Sequence, residues 1–249
     1  MNLRKFIFLI LLAVLLIPLT LIAQDKKIKI SDDLEILEIS ENAYIYISYY
    51  DLESTPHYPT NGMIYINGGS CFLIDTPWTI RETEALINWI NSELQVRVEG
   101  VIITHWHSDS MGGLEFIKKN GIKSYANNVT LETAKAKDLP EPETGFNASL
   151  ILNLGNKELH CWFLGGGHTI DNIVVWMPGE KILFAGCFAK AMNWQGLGYL
   201  GDADLKAWPI ALNRALKEFP DSKIVIPGHG SHGNTDILLH TLELLAKIK

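Results

Sequence analysis

Residues 98–109 read VEGVIITHWHSD, and this stretch decides the fold. Its first part, 98–104, is a mostly apolar run of the length expected for a strand buried within a sheet. The run ends abruptly in a polar cluster, which consists of His105, Trp106, His107, Ser108 and Asp109. We therefore predict a central strand that ends in a polar loop at the edge of its sheet.

Similar β-rich runs surround this strand. Five precede it, separated by turn residues, at 27–30, 34–39, 44–49, 63–67 and 71–75. Thr79 and Glu82 then form a capping box ahead of apolar residues at helical spacing, which predicts a helix. The second half repeats this order, with strands near 158–164, 173–177, 181–184 and 223–227 and helices near 205–219 and 236–248.

Two β-rich halves, each followed by helices, predict an α+β fold. The expected architecture is a four-layer αβ/βα sandwich, with two β-sheets face to face and helices outside. Since no Pro-rich or Ser-rich linker separates the halves, residues 24–249 are expected to form a single domain. Residues 50–61 join two strands and fit either an ordinary hairpin tip or a mobile flap over a site.

The composition excludes several classes of protein. A chain of 249 residues that is 47% hydrophobic and 20% charged is globular rather than disordered. Its 21 basic residues are outnumbered by 28 acidic ones, so the formal charge is −7 and no basic stripe is available for phosphate contacts. Nucleic acid is therefore not an expected partner.

Residues 1–23 are typical of a secretory signal peptide. Arg4 and Lys5 precede an apolar run at 6–17, and Pro18 and the small residue Ala23 follow it. A retained membrane anchor is the alternative, but the absence of a second apolar span in the sequence favours cleavage after Ala23. We expect export to a bacterial periplasm, without stable membrane association after the signal is removed.

Three cysteines in an oxidising compartment cannot all pair with one another. Cys71 and Cys161 lie inside predicted strands and are interpreted as small buried hydrophobic residues, although a disulfide between them stays open. Cys187 follows the predicted strand at 181–184. Metal ligation would protect such a thiol from oxidation.

Six candidate metal ligands follow predicted strands. They are His105, His107 and Asp109 of the His-x-His-x-Asp motif, His168 after three glycines, Cys187, and His229 within the sequence PGHG. Six ligands are too many for one tetrahedral ion and fit two, each with an open position. Imidazole, carboxylate and thiolate together favour zinc over calcium or magnesium. Two Zn²⁺ ions are therefore expected.

A longer set of stretches carries a resemblance to a known family. They are NGMIYINGGSCFLIDTPW at 61–78, THWHSDSMGG at 104–113, GGGHTIDNIVVW at 165–176, KILFAGCFAK at 181–190, GLGYLGDAD at 196–204 and IVIPGHG at 224–230. In order and spacing they resemble the metallo-β-lactamases, in particular the first subclass of class B, which holds two zinc ions and uses a cysteine ligand. The resemblance covers nearly all of the chain after the signal.

The resemblance implies a division of the ligands and a reaction. His105, His107 and His168 would bind the first zinc, and Asp109, Cys187 and His229 the second. A metal-bound hydroxide, oriented by Asp109, would attack the lactam carbonyl of penicillins, cephalosporins and carbapenems and so confer antibiotic resistance. Small-molecule β-lactams would be the partners of a monomeric enzyme.

Two further residues receive roles through the resemblance. Lys190, three residues after Cys187, would bind the carboxylate that β-lactams share. Tyr199 stands where many family members carry an asparagine, and its phenol would either donate a hydrogen bond to the substrate or pack as a loop aromatic. A hydrolase of the same fold with another substrate, such as a thioester, lactone or phosphodiester, and a non-catalytic zinc-binding protein are the alternatives.

Four other residues have open interpretations. Asp75 would either accept an imidazole proton and so orient a metal ligand, or have a helix-capping or turn role. Ser110 would either tune the second zinc or lie exposed on a loop. Trp106 would either shield the metals or pack in the core, which we favour. His232 lies close enough in sequence to His229 to serve as a fallback ligand.

Overall fold

The computed structural model describes residues 27–248 and contains two β-sheets. The strands of the first sheet follow one another in space as they do in the chain. They are β1 Lys27–Ser31, β2 Leu34–Ser40, β3 Ala43–Leu52, β4 Thr55–Asn67, β5 Ser70–Ile74, β6 Arg97–Ile102, β7 Lys123–Asn127 and β8 Thr144–Phe146. Strands β1 to β5 pair antiparallel, whereas β5 to β8 pair parallel.

The second sheet has five strands in the order β13-β12-β11-β10-β9. They are β9 Ser149–Leu154, β10 Lys157–Trp162, β11 Val174–Met177, β12 Ile182–Gly186 and β13 Ile224–Pro227. Four strands form an antiparallel meander, and β13 joins β12 in parallel. Each sheet therefore has parallel neighbours whose carboxyl ends point to the same edge.

Six α-helices are present in residues 27–248. They are α1 Ile80–Trp89, α2 Ser108–Met111, α3 Leu114–Lys119, α4 Asn128–Ala136, α5 Ala207–Glu218 and α6 Asp236–Ala246. Helix α1 starts as the capping box predicts, since the Thr79 side chain accepts a hydrogen bond from the backbone N–H of Glu82. It continues as a π-helical turn over Ile90–Leu94.

Three apolar clusters separate four layers of secondary structure. One lies between the first sheet and helices α1, α3 and α4, and includes Ile64 of the sheet with Leu86 and Leu114 of the helices. The second fills the space between the two sheets, and the third packs the second sheet against α5 and α6. The predicted α+β four-layer sandwich is therefore confirmed.

The segment from 108 to 154 holds most of what the sequence did not predict. Helices α2 to α4 and strands β7 to β9 lie there, and most of them are six residues or shorter. Elements of this length give little periodicity. Residues 50–61 belong to the β3–β4 hairpin, with Tyr50 opposite Tyr58 and Leu52 opposite Thr55. The segment is therefore a hairpin tip, and its movement as a flap stays a prediction.

All three cysteines are unpaired. Cys71 packs in the cluster outside the first sheet and Cys161 in the cluster between the sheets, which confirms that both are buried. Burial raises the pKa of the Cys71 thiol to about 12. The predicted signal peptide, 1–23, lies outside the described residues, and in 27–248 no helix has the length and apolar character needed to cross a bilayer.

Candidate metal centre and cleft

The six candidate ligands lie at the carboxyl ends of strands from both sheets. The loop after β6 carries His105, His107 and Asp109. Cys187 follows β12, His229 follows β13, and His168 lies in the connection from β10 to β11. Because these strand ends meet at one edge of the sandwich, residues far apart in the chain come within contact distance.

Asp109, Cys187 and His229 form a tight triplet, called here the second group. Asp109 Oδ2 is 3.3 Å from Cys187 Sγ and 3.2 Å from His229 Nε2. The sulfur is also 3.3 Å from His229 Nε2. All three side chains are more than nine-tenths buried.

His105, His107 and His168, called here the first group, lie beside it. Nδ1 of His107 is 3.2 Å from Nε2 of His168, and the ring of His105 is 4.9 Å and 5.5 Å from the rings of His107 and His168. Nε2 of His105 is 3.4 Å from Asp109 Oδ1, so the two groups share a border.

The six donors do not separate into two isolated triplets. Donor atoms within 4.8 Å of one another occur in three sets: His105, His107 and Asp109; His105, His168 and Cys187; and Asp109, Cys187 and His229. The second group is thus one such set, whereas the first group overlaps two others. The structure brings all six predicted ligands together, and their assignment to individual ions stays a prediction.

A close crossing of two loops brings Cys187 to His229. A Cβ atom on Gly228 would lie 2.4 Å from the sulfur of Cys187 and 2.6 Å from its backbone nitrogen. Gly186, just before Cys187, has a left-handed φ of 54°, which glycine adopts without steric cost. Any larger residue at position 228 would therefore overlap Cys187 and disturb the geometry of the second group.

Asp75, at the end of β5, anchors the loop that carries three of the ligands. Its carboxylate accepts hydrogen bonds from the backbone N–H and the hydroxyl of Thr104, at 2.7 and 2.8 Å, and from the hydroxyl of Ser110. Burial raises its pKa to about 7 despite these donors. Asp75 reaches His105 through Thr104, whose hydroxyl is 3.2 Å from Nδ1, so direct contact with an imidazole is not observed.

Within the second group, electrostatics favour an ionised carboxylate and thiolate beside a protonated imidazole. Burial alone would raise the pKa of Asp109, but the facing imidazoles of His105 and His229 outweigh it and hold that pKa well below its ordinary value. Burial and Asp109 oppose ionisation of Cys187, yet His229 and His105 lower the pKa of the thiol. Burial would lower the pKa of His229, whereas Cys187 and Asp109 raise it to about 10.

Two imidazoles of the first group, His107 and His168, favour the neutral form. Burial lowers the pKa of His168, and the ammonium of Lys190 adds to this effect. Burial also lowers the pKa of His107, and the neighbouring His105 acts in the same direction. A neutral imidazole offers a lone pair to a metal ion.

The donor set fits metal ions on structural grounds. Nε2 of His105 and Oδ1 of Asp109 are buried and have no hydrogen-bond partner within residues 27–248. Buried polar atoms without partners are costly, and a bound cation would satisfy both. The set consists of one carboxylate, one thiolate and four imidazoles, and zinc accepts all three kinds of ligand.

A cleft of about 510 Å³ opens over both groups. Five aromatic side chains line it, namely Tyr58, Trp78, Trp106, Trp194 and Tyr199. A larger groove of about 740 Å³ lies at the opposite ends of β5, β6 and β7 and contains none of the six candidate ligands. The chemistry of the lining, rather than volume, therefore identifies the site.

Lys190 lines the cleft and is buried, with 3% of its surface exposed. Its ammonium lies 5.9 Å from the ring centre of Trp194 and 5.7 Å from that of Trp208. Burial lowers its pKa, while the nearby Cys187 and Asp109 oppose the shift. Lys190 is therefore a buried cleft residue and not an ordinary solvated lysine.

Tyr199 lies at the rim of the cleft with 65% of its surface exposed. Its ring is 6.1 Å from that of His107, and its hydroxyl lies over Gly201, where a side chain would collide with it. Trp106 packs against the outer core and also lines the cleft. The packing interpretation of Trp106 is therefore confirmed, and shielding of the metals stays a prediction.

Two of the open interpretations were wrong. Ser110 is fully buried and donates to Asp75, so it is not an exposed loop serine. His232 lines a separate groove of about 450 Å³ beside Leu37 and Ile47 and belongs to none of the three donor sets. Although His232 is close to His229 in sequence, its side chain does not lie among the candidate ligands.

Sequence reasoning missed two residues that contact the site. The side-chain amide of Asn61 donates to the backbone carbonyls of Pro227 and Gly230, at 2.8 and 2.7 Å, on either side of His229. A carboxylate oxygen of Asp202 lies 3.0 Å from Nε2 of His107. Both residues lie within the stretches that resemble the metallo-β-lactamases, and this resemblance was the one signal that could have pointed to them. Their contact partners are distant in the sequence, so no local pattern indicated the contacts.

Comparisons with known proteins agree with this geometry. The family model of the metallo-beta-lactamase superfamily matches residues 55–229. A curated metallo-beta-lactamase type 2 from Bacteroides fragilis is 43% identical over 231 residues, which is 93% of this chain and 92% of the relative. One from Bacillus cereus is 34% identical over 214 residues, covering 85% of this chain and 82% of the relative.

A comparison with a solved structure also supports membership of this family. A metallo-beta-lactamase from Pontibacter korlensis superposes with a TM-score of 0.83 at 37% identity, over 86% of this chain and 99% of that one. The family match and the alignment with the Bacteroides fragilis relative each cover most of the sequence, and every candidate ligand lies within the covered region. The chain is therefore a hydrolase that belongs to the metallo-beta-lactamase superfamily.

Proposed function

We propose that the chain hydrolyses the amide bond of β-lactam antibiotics with two bound zinc ions, and that its substrates include penicillins, cephalosporins and carbapenems. The observation that carries this proposal is the contact of six donors of zinc-binding type with one another, at the floor of a cleft that also contains a buried lysine. The names of the relatives support the reaction class.

His105, His107 and His168 would hold one ion and Asp109, Cys187 and His229 the other. When bound, zinc supplies Lewis acidity toward a carbonyl oxygen and toward a leaving nitrogen, and it makes a coordinated water acidic enough to act as a nucleophile near neutral pH. The chain contributes an arrangement of donors held by strand ends on both sheets.

Asp109 is the proposed catalytic carboxylate. Its Oδ2 faces Cys187 and His229, whereas Oδ1 faces His105 and has no hydrogen-bond partner among the described residues. Oδ1 can therefore accept a hydrogen bond from the attacking water and orient it toward the lactam carbonyl.

Lys190 is the proposed binding residue for the substrate carboxylate. A buried ammonium in a cleft attracts an anion more strongly than a solvated one, because water screens it less. In residues 27–248 its Nζ has no ion-pair partner, so the charge is available to a ligand. Tyr199 would contribute its ring to the wall that the substrate contacts.

The cellular setting is part of the proposal. We infer that residues 1–23 direct export to the periplasm and are removed, and that residues 24–249 act as a monomeric single domain without a nucleic-acid partner. Net negative charge and the composition of the first residues support this view.

Turnover of a penicillin, a cephalosporin and a carbapenem by the purified mature chain tests the proposal. We expect hydrolysis of all three, loss of activity with a zinc chelator, and recovery when zinc is restored. Activity that survives complete removal of metal would contradict the metal requirement.

Two results would contradict the substrate class. Hydrolysis of a thioester, lactone or phosphodiester without any lactam turnover would place the chain among other hydrolases of this fold. Zinc binding without turnover of any of these compounds would indicate a non-catalytic zinc protein.

A further inference from the structure

Trp194 lines the cleft at a place where two parts of the chain meet. It lies on the loop that follows β12, and its side chain is half-buried. The ring of Tyr58, on the β3–β4 hairpin, lies edge-on to the indole, with the ring centres 6.2 Å apart. The hairpin and the loop therefore contact each other through this aromatic pair.

The indole also lies beside two groups of the proposed site. Its ring centre is 5.6 Å from that of the candidate ligand His229, with the planes 28° apart. The ammonium of Lys190 is 5.9 Å from the indole. If Lys190 holds a substrate carboxylate, a group attached next to that carboxylate is expected to lie against Trp194.

The aromatic contacts continue beyond this pair. The ring of Tyr58 is 4.8 Å from that of His229 and 6.4 Å from that of Trp78. Trp194, Tyr58 and Trp78, called here the aromatic wall, thus follow one another along the cleft. Aromatic side chains favour planar rings in stacked or edge-on contact, so such a wall distinguishes flat aromatic groups from small aliphatic ones.

Backbone contacts hold the indole in place. The backbone N–H of Trp194 donates to the carbonyl of Ala191 at 3.0 Å, and its carbonyl accepts from Nε2 of His240, on helix α6, at 2.9 Å. A Cβ atom on Gly230 would lie 3.2 Å from Nε1 of the indole, which is therefore seated close to the backbone after His229. A contact surface that is already in place costs less ordering when a ligand binds.

We propose that Trp194 is a specificity-determining residue, and that the aromatic wall favours β-lactams with a planar aromatic group next to the ring carboxylate. The inference rests on the proposed substrate class and on Lys190 as the residue that binds the carboxylate. In cephalosporins this group and the acyl side chain are attached at opposite ends of the molecule, so each can be varied alone.

Selectivity between two cephalosporins is the first test, on the mature chain loaded with zinc. Both carry the same thienylacetamido side chain, but one has a dinitrostyryl group and the other an acetoxymethyl group next to the carboxylate. The ratio of their kcat/KM values should fall about 2- to 10-fold in Trp194→Ala. It should fall less in Trp194→Phe, which keeps an aromatic ring.

The design separates specificity from damage to the protein. Because both substrates are measured on one sample, any loss of folded or zinc-loaded protein cancels in the ratio. Met192→Ala is the matched control, since this residue lies on the same loop, is 54% exposed and is outside the cleft lining. The control should leave the ratio unchanged.

Binding of the ring-opened dinitrostyryl product is the second test and does not depend on turnover by this chain. The product keeps both the aromatic group and the carboxylate, and its colour allows equilibrium dialysis. Its Kd should rise about 2- to 10-fold in Trp194→Ala and stay at the parent value in Met192→Ala.

An unchanged ratio in Trp194→Ala, an equal fall in Met192→Ala, or a fall in Trp194→Phe as large as in Trp194→Ala would overturn the inference. Failure of the proposed function is a different result, namely no turnover of either cephalosporin by the parent. In that case, product binding that still depends on Trp194 would support the aromatic wall, and product binding that is the same in Trp194→Ala would contradict it.

Discussion

The first and second groups of the metal site are neighbours, but they are built differently. The second group contains an aspartate and a cysteine whose charges draw positive charge to the site, and its three donor atoms lie 3.2 to 3.3 Å apart. The first group consists of three imidazoles, of which His107 and His168 are kept neutral by burial.

The supports of the two groups differ as well. A close loop crossing at Gly228 and the amide of Asn61 hold the second group, so backbone packing sets its geometry. Two imidazoles of the first group are each held by a single hydrogen bond that the ring donates, from His105 to the hydroxyl of Thr104 and from His107 to the carboxylate of Asp202. The comparison indicates that the second group responds to changes in the backbone of the loops that carry it, and the first to changes in the side chains that contact its imidazoles.

Asp109→Ala should have the largest effect, because this residue borders both groups. It removes an anionic donor and the carboxylate proposed to orient water, so kcat should fall on the order of 10³-fold. Steady-state kinetics at saturating zinc, with metal content measured on the same sample, checks this. Retention of most of the activity would show that the two groups do not depend on their shared carboxylate.

Gly228→Ala tests whether backbone packing sets the second group. The new Cβ would lie 2.4 to 2.9 Å from Sγ, N and Cα of Cys187, and backbone atoms cannot give way cheaply. We expect a loss of about 1–3 kcal/mol in the free energy of unfolding, together with weaker binding of one zinc. Gly69→Ala is the control, since a Cβ there meets nothing within 4 Å; equal effects in both variants would contradict the argument.

Lys190→Ala tests the substrate-binding charge beside the second group. A hydrogen bond to a charged partner contributes about 1.5–3 kcal/mol, so KM should rise about 10- to 100-fold while kcat changes less. Initial rates with several β-lactams measure both constants. Lys181→Ala removes an exposed lysine that pairs with Asp221 and should alter neither; unchanged kinetics in Lys190→Ala would refute the role.

Asn61→Ala removes the amide that holds the loop around His229. Two carbonyls lose their donor, which should cost about 1–3 kcal/mol of stability and weaken zinc binding at the second group. Denaturant unfolding and chelator competition measure these quantities. Asn67→Ala is a matched control, since that amide also donates to two oxygens, on Leu154 and Asn156, far from the site. It should lose stability but bind zinc normally.

Tyr199→Phe should have the smallest effect. The hydroxyl lies over Gly201 at an exposed rim, beside the first group, so its removal should change kcat by no more than about twofold. Pre-steady-state and steady-state rates with a chromogenic cephalosporin check this. A larger loss of kcat would show that the phenol takes part in catalysis, and would indicate that the substrate is contacted beside the first group.

Most of the fold was predictable from the sequence where elements are long or regularly patterned. The capping box at Thr79 fixed the start of α1, and buried strands such as β6 and β12 were recognised by their apolar runs. Strand β9 alternates between half-buried and exposed positions and α3 has six residues, so neither gives a strong pattern. The segment from 108 to 154 therefore escaped prediction.

The sequence by itself determined which donors are available and that they follow strands, because motif spacing and strand ends are local properties of the chain. Only the tertiary structure decided which of them meet, that Lys190 is buried, and that Asp202 and Asn61 contact the site. His107 and Asp202 are 95 residues apart, and Asn61 and Pro227 are 166 apart. Contacts at such separations arise from the packing of two whole sheets, which no local pattern encodes.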